Sequence, residues 1–577
     1  MATDPSNLEI AAAFDELADL YELDGAIVHR VLAYRAAAKA AREATVSVAA
    51  LTRQGAVTSL PGIGKTLEEK LVALLETGDI PSAVKLRAKY PPGLLEMTRL
   101  PGLGPKRARR LFDELGIESL EMLRAAAEGE KLRGVKGFGP KFEASVLSAL
   151  QAGIGERPAQ RVLLHRALHL GEQIVAALRA HPAARRVELA GSARRQADSV
   201  KDLDIIATAS DPGALARALG ELEVIESASA PNEHAARGRA HTGLAVDLRV
   251  VEPESFGNLL QHFTGSQAHN VALREAAVRR GLHVSEYGIL DDASGETLRC
   301  ASEEAVYERL GLAFPEPELR EDRGELSPGF VPPRLVTVED LRGDLHMHTV
   351  ASDGRNTIEQ MARAALERGY EYVAITDHSA THGFGNHVPP DELERQIERV
   401  AEVNARIDGI AVLAGTEANI LPDGSPDYDD ELLSRLDWVI ASVHTSFGMS
   451  SGEMTRRVVA AIEHPWIDAI GHPTGRKIQS RRPYAIDVDE VIAAAARTGT
   501  MLEINSAPDR RDLDDVNARA AAENGVLVLV NSDAHGADTL HHVRWGVATA
   551  RRAWLEPEHV ANTRPWAQFA ALRKRAR

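Results

Sequence analysis

The stretch VLVLVNSDAH, residues 526–535, decides how the back of this 577-residue chain folds. A short apolar run ends in an acid and an imidazole, Asp533 and His535. The same plan recurs upstream in YVAITDH (372–378), GIAVLAGTE (409–417), DWVIASVH (437–444) and IDAIGH (467–472), and TMLEIN (500–505) adds a further apolar run. Helical segments separate these runs. Strand–helix alternation of this kind predicts parallel β/α architecture after residue 341.

The run endings carry the chemistry. In Asp-Leu-His-Met-His (344–348), His346 and His348 share one face of a strand. Asp353 follows in the next loop, and His378, Glu417, His444 and His472 end the runs above. Each lies at or just past the C-terminal end of an apolar strand, where a β/α barrel collects its active-site residues. Imidazole and carboxylate donors without thiolate suit Zn²⁺, Mn²⁺ or Fe²⁺. Any one such histidine is more often structural, but nine candidates recurring at strand ends point to a metal site. His382, His387, His464, His541, His542 and His559 lack that placement and read as ordinary.

Composition bounds the rest. Cys300 stands alone, which excludes an intrachain disulfide and a cysteine-based zinc site. No run of about 18 apolar residues and no basic-then-apolar leader is found, so a soluble cytoplasmic protein without a membrane partner is expected. The formal charge of −17 argues against a nucleic-acid partner until its distribution is read. Residues 25–160 carry 21 basic and 14 acidic residues. Counterion release is local to the contacted phosphates, so this basic front is the relevant quantity. It holds an internal repeat, LPGIGK (60–65), LPGLGPK (100–106) and KGFGPK (136–141). Paired glycines let backbone N–H groups approach an anion, and the following helix adds a favourable dipole end. Residues 315–340, with five prolines among charges, read as a linker.

Between front and linker lies GSARRQADSVKDLDII (191–206). Asp202 and Asp204 alternate in a β-like run and project from one face. Carboxylates held that close repel one another unless a divalent cation joins them. Asp247, in GLAVDLRVV, offers a third from a neighbouring strand. Three carboxylates suit two Mg²⁺ or Mn²⁺ ions clamping the oxygens of a phosphoryl transfer. Gly191, Ser192, Arg194 and Arg195 form a nest, hydroxyl and guanidinium set suited to a triphosphate.

GS-x-RR, D-x-D, V-D-L-R and then FTGS-x-x-HN-x-x-x-R (263–274) together resemble the family X DNA polymerases related to DNA polymerase beta, over residues 1 to about 318. The repeats resemble helix-hairpin-helix DNA-binding motifs, with Lys65, Lys106 and Lys141 at phosphate contacts. The resemblance implies that Asp202, Asp204 and Asp247 bind two metals and that Gly191, Ser192 and Arg195 contact a deoxynucleoside triphosphate. It implies that Phe263, Thr264, Gly265 and Ser266 line the sugar, and that Asn270 and Arg274 face the nascent base pair and template. Arg249 matches a family arginine near the carboxylates. Three positions depart from the family pattern: His262 for Tyr, Val200 for Ser and Lys201 for Gly. Lys70 matches the Schiff-base lysine of the family's deoxyribose-phosphate lyase domain, with His29, Arg30 and Tyr34 at accessory positions. Residues 341 to about 565 are similar to the PHP (polymerase and histidinol phosphatase) phosphoesterases. That implies three metals held by the nine ligands, Glu417 and Asp533 bridging, and a water acidified to a pKa of about 7 as nucleophile. Arg476 and the tail RKRAR (573–577) are candidate phosphate contacts.

The expected architecture is multidomain α+β and α/β. It comprises a lyase-like helical domain (1–90), a helix-hairpin-helix domain (91–155), a nucleotidyltransferase palm (156–257), a nucleotide-selecting domain (258–318), a linker (319–340) and a distorted (β/α)7-type PHP barrel (341–577). The expected function is filling short gaps in primed DNA during repair, by a monomer, with PHP-based 3′–5′ exonuclease and apurinic/apyrimidinic endonuclease activity. Rival readings are a PHP nuclease with a weak or inactive polymerase, a small-molecule phosphatase such as a histidinol-phosphate hydrolase, and a DNA-end scaffold.

Overall fold

The computed structural model describes residues 4–100, 102–152, 161–383 and 385–576. The expected boundary at 155/156, Pro101 of the second repeat and the terminal Arg577 lie outside them. Two compact units emerge.

The first unit comprises Met1–Val162, Leu168–Leu189 and Lys201–Glu252. It opens with helix Asn7–Leu23, started by a capping box: Glu9 N donates to Ser6 Oγ at 3.2 Å and Ser6 N to Glu9 Oε2 at 2.7 Å. Ile10, Phe14 and Leu17, at helical spacing, are fully buried. The three Gly-x-Gly repeats adopt one shape. Gly62, Gly102 and Gly137 have φ of +87°, +81° and +88°, a region only glycine enters without strain. The second glycines, Gly64, Gly104 and Gly139, each accept the first-turn N–H of the helix that follows, from Leu67, Arg107 and Phe142 at 2.9–3.0 Å. A five-stranded sheet follows. Its strands are β1 (Ala184–Leu189), β2 (Asp202–Ala209), β3 (Ile225–Ala228), β4 (Ala235–Ala240) and β5 (Ala245–Val250), in spatial order β1-β2-β5-β4-β3. Strands β2 and β5 run parallel.

The second unit comprises Leu163–Ala167, Ala190–Val200 and Pro253–Arg577. Helices Phe256–Thr264, Gln267–Val278 and Glu303–Arg309 accompany a small antiparallel sheet of β6 (Leu282–Ser285), β7 (Gly288–Asp291) and β8 (Thr297–Leu298). Within the expected linker, Leu319, Arg320, Glu325 and Val336 are buried. The barrel has seven parallel strands in chain order: β9 (Gly343–Asp344), β10 (Tyr372–Ile375), β11 (Ala411–Asn419), β12 (Trp438–Ser442), β13 (Ala469–Ile470), β14 (Met501–Asn505) and β15 (Val528–Asn531). A parallel bridge between Met347 and Ala534 brings the last strand back to the first. Every residue of β10, β12 and β14 is buried, as parallel strands covered on both faces require. Phe569, from helix Trp566–Ala570, stacks on Tyr372 at 4.8 Å and packs on Trp438 at 5.6 Å. No helix among the described residues is long and apolar enough to cross a membrane.

Candidate functional site

Parallel strands deliver their C-terminal ends to one rim, and the nine candidate ligands meet there. Three groups have ligand atoms within 4.8 Å of one another: His348, Asp353, His378 and His535; His346, His348 and Asp533; and His378, Glu417 and His444. His472 joins through Glu417, its Nε2 lying 3.0 Å from Oε1. Glu417, wholly buried, is also approached by His378 Nδ1 at 2.7 Å, His444 Nε2 at 3.2 Å and His346 Nε2 at 3.4 Å. Asp533 lies 3.1 Å from His348 and Asp353 lies 3.3 Å from His535. His472 and Asp533 hold φ of +30° and +53°, strained values that persist only where surrounding structure imposes them.

The electrostatics are those of facing acids and imidazoles. Burial drags His346 down, but the carboxylates of Glu503, Glu417 and Asp533 overcome it and raise it well above 6.5. Burial opposes the charge of Glu417 as well, yet His444, His346 and His378 hold it well below 4.5. Burial and the neighbouring His378 and His535 lower His348 to about 4. Burial and the charge of Arg510 lower His472 to about 4. Despite burial, Asp353 and Asp533 lift His535 to about 9. His346 Nε2, His348 Nδ1 and His472 Nδ1 are buried without a hydrogen-bond partner. Buried imidazole nitrogens and a Glu417 oxygen left without hydrogen-bond partners form an N/O donor set that fits divalent metals.

Glu503 escaped the sequence reading. Its Oε1 lies 2.7 Å from His346 Nδ1 and accepts from Asn531 Nδ2 at 3.0 Å, while Oε2 accepts from His472 N at 2.7 Å. Such a partner fixes the tautomer and ring orientation of a ligating histidine. A cavity of about 440 Å³ opens on the cluster. Besides ligands it is lined by Lys477, Arg510 and His542, none of them anticipated, and burial and His541 push His542 down to about 4. His382, read as ordinary, stacks on His378 at 4.5 Å.

Two candidate phosphate contacts are engaged elsewhere. Arg476 pairs with Asp198 at 2.9 Å and donates to Arg510 O and Arg511 O at 3.1 Å. In the tail, Arg573 donates to Asp437 O, and Arg575 and the Lys574 amide bind Asp468 at 2.7 and 2.8 Å. Asp437 and Asp468 precede β12 and β13, so the tail sits at the barrel end remote from the histidines. Long-range acids and carbonyls, invisible from local context, captured these cations.

In the first unit, Asp204 and Asp247 are register partners on β2 and β5, and Asp202 pairs with Ala245 two residues before. Adjacent strands lie about 4.8 Å apart, so the three carboxylates share one face. Arg237, opposite on β4, and Arg249 pair with Asp247 at 3.0 and 2.9 Å. Lys70 Nζ donates to Ser82 Oγ at 3.2 Å and stands 5.8 Å from the centre of the Tyr34 ring. Lys65, Lys106 and Lys141 are exposed beside their repeats.

In the second unit, Gly191 (φ +65°) and Ser192 begin the short helix Gly191–Arg194. Arg194 donates to Thr264 Oγ1 at 2.7 Å, and Arg195 donates to Thr264 O and pairs with Glu321 at 3.1 Å. Phe263 packs edge-on against His262 at 5.4 Å. A Cβ on Gly265 (φ +67°) would stand 3.1 Å from Arg195 Nη1, and Ser266 caps helix Gln267–Val278. Asn270 donates to His262 O at 2.7 Å, and Arg274 Nη2 lies 3.3 Å from His262 Nδ1.

Comparison with known proteins agrees with this layout. Residues 259–321 match the DNA polymerase beta thumb family and residues 344–507 the PHP domain. Residues 5–80 match a helix-hairpin-helix domain and residues 94–152 a SAM-like helix-hairpin-helix tandem. "DNA polymerase/3'-5' exonuclease PolX" of Bacillus subtilis is 36% identical over 569 residues, covering 98% of this chain and 99% of that protein. A "Probable phosphatase" of Caldanaerobacter subterraneus is 35% identical over 203 residues, 33% of this chain and 75% of that protein. Another, of Thermoanaerobacter sp., is 30% identical over 231 residues, 38% and 89% of the two chains. With near end-to-end similarity to the Bacillus protein, the chain belongs to the family X DNA polymerases that carry a C-terminal PHP domain.

Proposed function

We propose that the chain is a DNA-directed DNA polymerase that fills short gaps during repair and a PHP phosphoesterase that removes nucleotides from 3′ ends and cuts at apurinic/apyrimidinic sites. The convergence of nine imidazole and carboxylate groups on one rim of the barrel carries the second activity. The register of Asp204 with Asp247, with Asp202 on the same face, supports the first. Asp202, Asp204 and Asp247 would hold two Mg²⁺ or Mn²⁺ ions, and the barrel ligands three Zn²⁺, Mn²⁺ or Fe²⁺ ions. Bound metals would neutralise charge building on phosphate oxygens and lower the pKa of water.

The chain's own residues supply positioning. Asp247 faces the primer 3′ hydroxyl and helps draw off its proton, while Gly191, Ser192 and Arg195 hold the triphosphate of the incoming deoxynucleotide. The Asn270 and Arg274 side chains, fastened to His262, sit beside the nascent pair. Glu503 orients His346, and the wholly buried Glu417, approached by His346, His378, His444 and His472, would hold metal in the cavity. Exposed lysines at the Gly-x-Gly turns grip the DNA backbone without reading bases. Lys70 is the proposed lyase nucleophile, and the active species is a monomer in the cytoplasm, associated with the nucleoid when on DNA.

One experiment tests both activities. Purified protein is incubated with gapped, 5′-labelled DNA, with and without deoxynucleotides. Extended products should vanish in Asp202→Ala, and shortened ones in His346→Ala. Failure of the wild type to extend the primer refutes the polymerase. Shortening at the wild-type rate by His346→Ala refutes the nuclease site.

A further inference from the structure

A cation stands in the wall of the histidine cavity. Arg510 lines it together with Glu417, His472 and Asp533, and its Nη1 is buried without a hydrogen-bond partner. An unsatisfied buried donor costs about 1–3 kcal/mol, and more when charged. The acids of the cavity have other partners: His378 on Glu417 at 2.7 Å, His348 on Asp533 at 3.1 Å, His535 on Asp353 at 3.3 Å and Lys477 beside Asp509 at 3.9 Å.

The turn that carries Arg510 is held on both sides. Ala507 N donates to Asn505 Oδ1 at 3.0 Å, and Arg510 N donates to Ala507 O at 2.8 Å. The next residue, Arg511, is buried, donates to Thr549 Oγ1 at 2.8 Å and pairs with Asp198 at 3.2 Å. Lys477 brings a second, half-exposed cation to the same cavity, 3.9 Å from Asp509. Cations beside a donor set for divalent metals repel whatever metal binds there. Four lining carboxylates, those of Asp353, Glu417, Asp509 and Asp533, still leave three divalent ions plus Arg510 and Lys477 in positive excess. That excess calls for an anion between metals and guanidinium, and a phosphate has the required charge and paired oxygens.

We propose that Arg510 is the phosphate receptor of the phosphoesterase site, its Nη1 donating to a non-bridging oxygen of the scissile phosphodiester, with Lys477 as the outer cation. The proposal rests on reading the cavity as a metal-dependent phosphoesterase centre. Inorganic phosphate and a terminal phosphomonoester present the same oxygens, so phosphate alone serves as a probe of the receptor.

The test uses the whole chain loaded with Mn²⁺, as wild type, Arg510→Ala and Arg510→Lys. Metal content is measured by mass spectrometry, inorganic phosphate binding by calorimetry, and 3′ nucleotide removal by steady-state kinetics on labelled DNA. Expected for Arg510→Ala are unchanged metal content, phosphate affinity weakened at least tenfold, and kcat/KM lowered about 10- to 100-fold, the scale of one charged hydrogen bond. Arg510→Lys should recover part of both losses, since it keeps the charge but not the fork. Phosphate affinity and kcat/KM equal to wild type in Arg510→Ala overturn the proposal. Loss of bound metal in Arg510→Ala also overturns it, making Arg510 a support of the cluster. If the wild type binds phosphate through Arg510 but removes no nucleotides, the phosphoesterase reading fails while the anion site stands.

Discussion

Glu503→Gln offers a demanding test, because it changes one buried oxygen to an amide and nothing in volume. Glu503 Oε1 now faces His346 Nδ1 at 2.7 Å and Asn531 Nδ2 at 3.0 Å, and Oε2 faces His472 N at 2.7 Å and Asn505 Nδ2 at 3.2 Å. Four donors converge on two carboxylate oxygens. An amide keeps one acceptor and turns its other end into a donor facing donors. At least one charge-assisted bond of about 1.5–3 kcal/mol is lost, equivalent to roughly 10- to 150-fold in an equilibrium constant. Supporting partners of metal ligands typically contribute 10- to 100-fold in affinity or activity, the same range. The assay is 3′ nucleotide removal against free Mn²⁺ concentration, with primer extension as an internal control. The midpoint should move to higher Mn²⁺ by about 10- to 100-fold while extension is unchanged. An unshifted midpoint would refute the claim that Glu503 orients the ligand set.

Three further outcomes are expected. Glu303 is buried against the fully buried Arg320 at 2.5 Å, and although burial opposes its charge, Arg320 and Arg194 hold its pKa below 4.5. Glu303→Gln should therefore destabilise the second unit by about 3–5 kcal/mol in denaturant titrations at pH 7. A depressed carboxylate contributes above its unfolded pKa and loses that contribution as pH falls through the folded one, so the mutant's deficit should shrink below about pH 4. Replacing Lys65, Lys106 and Lys141 together by Ala should reduce the slope of log K for duplex DNA against log salt by about 0.9 for each lost contact, measured by anisotropy. Chelation should lower the barrel's melting temperature, since metal at 100 times its dissociation constant adds about 2.7 kcal/mol, and re-added Mn²⁺ should restore it.

Much of the barrel was legible because its strands announce themselves twice, by apolar runs and by the residue that ends each run. The run TMLEIN lacks a terminal ligand, so its local pattern marks no site residue. Glu503 looked like a strand residue until His346, 157 positions away, was brought against it. His542 follows the ligands Asp533 and His535 in a 3-10 helix (Ala537–His542) that turns it toward the cavity, whereas the reading credited histidines only at strand ends. Arg476 failed in the opposite direction: its Gly-Arg setting suggested phosphate, but Asp198, 278 residues away, takes its charge. The D-x-D pair was legible because strand alternation is local. Its alignment with Asp247 depends on a parallel register that no local pattern encodes.

The fastening of the segment Ala190–Val200 bears on how the two activities are dissected genetically. Asp198 is gripped by Arg476 and Arg511, Gln196 O accepts from Arg511 at 3.0 Å, and Arg195 O accepts from Arg552 at 2.8 Å. Glu321 is shared between Arg195 and Arg552, and Arg552 also pairs with Asp515. Truncating the chain at the proline-rich stretch removes Arg476, Arg511, Asp515 and Arg552 together. The loop proposed to hold the triphosphate then loses its scaffold along with the nuclease. A truncated strain defective in gap filling is thus not evidence that nucleotide removal assists synthesis; point substitutions at the barrel rim, which leave these arginines in place, separate the two.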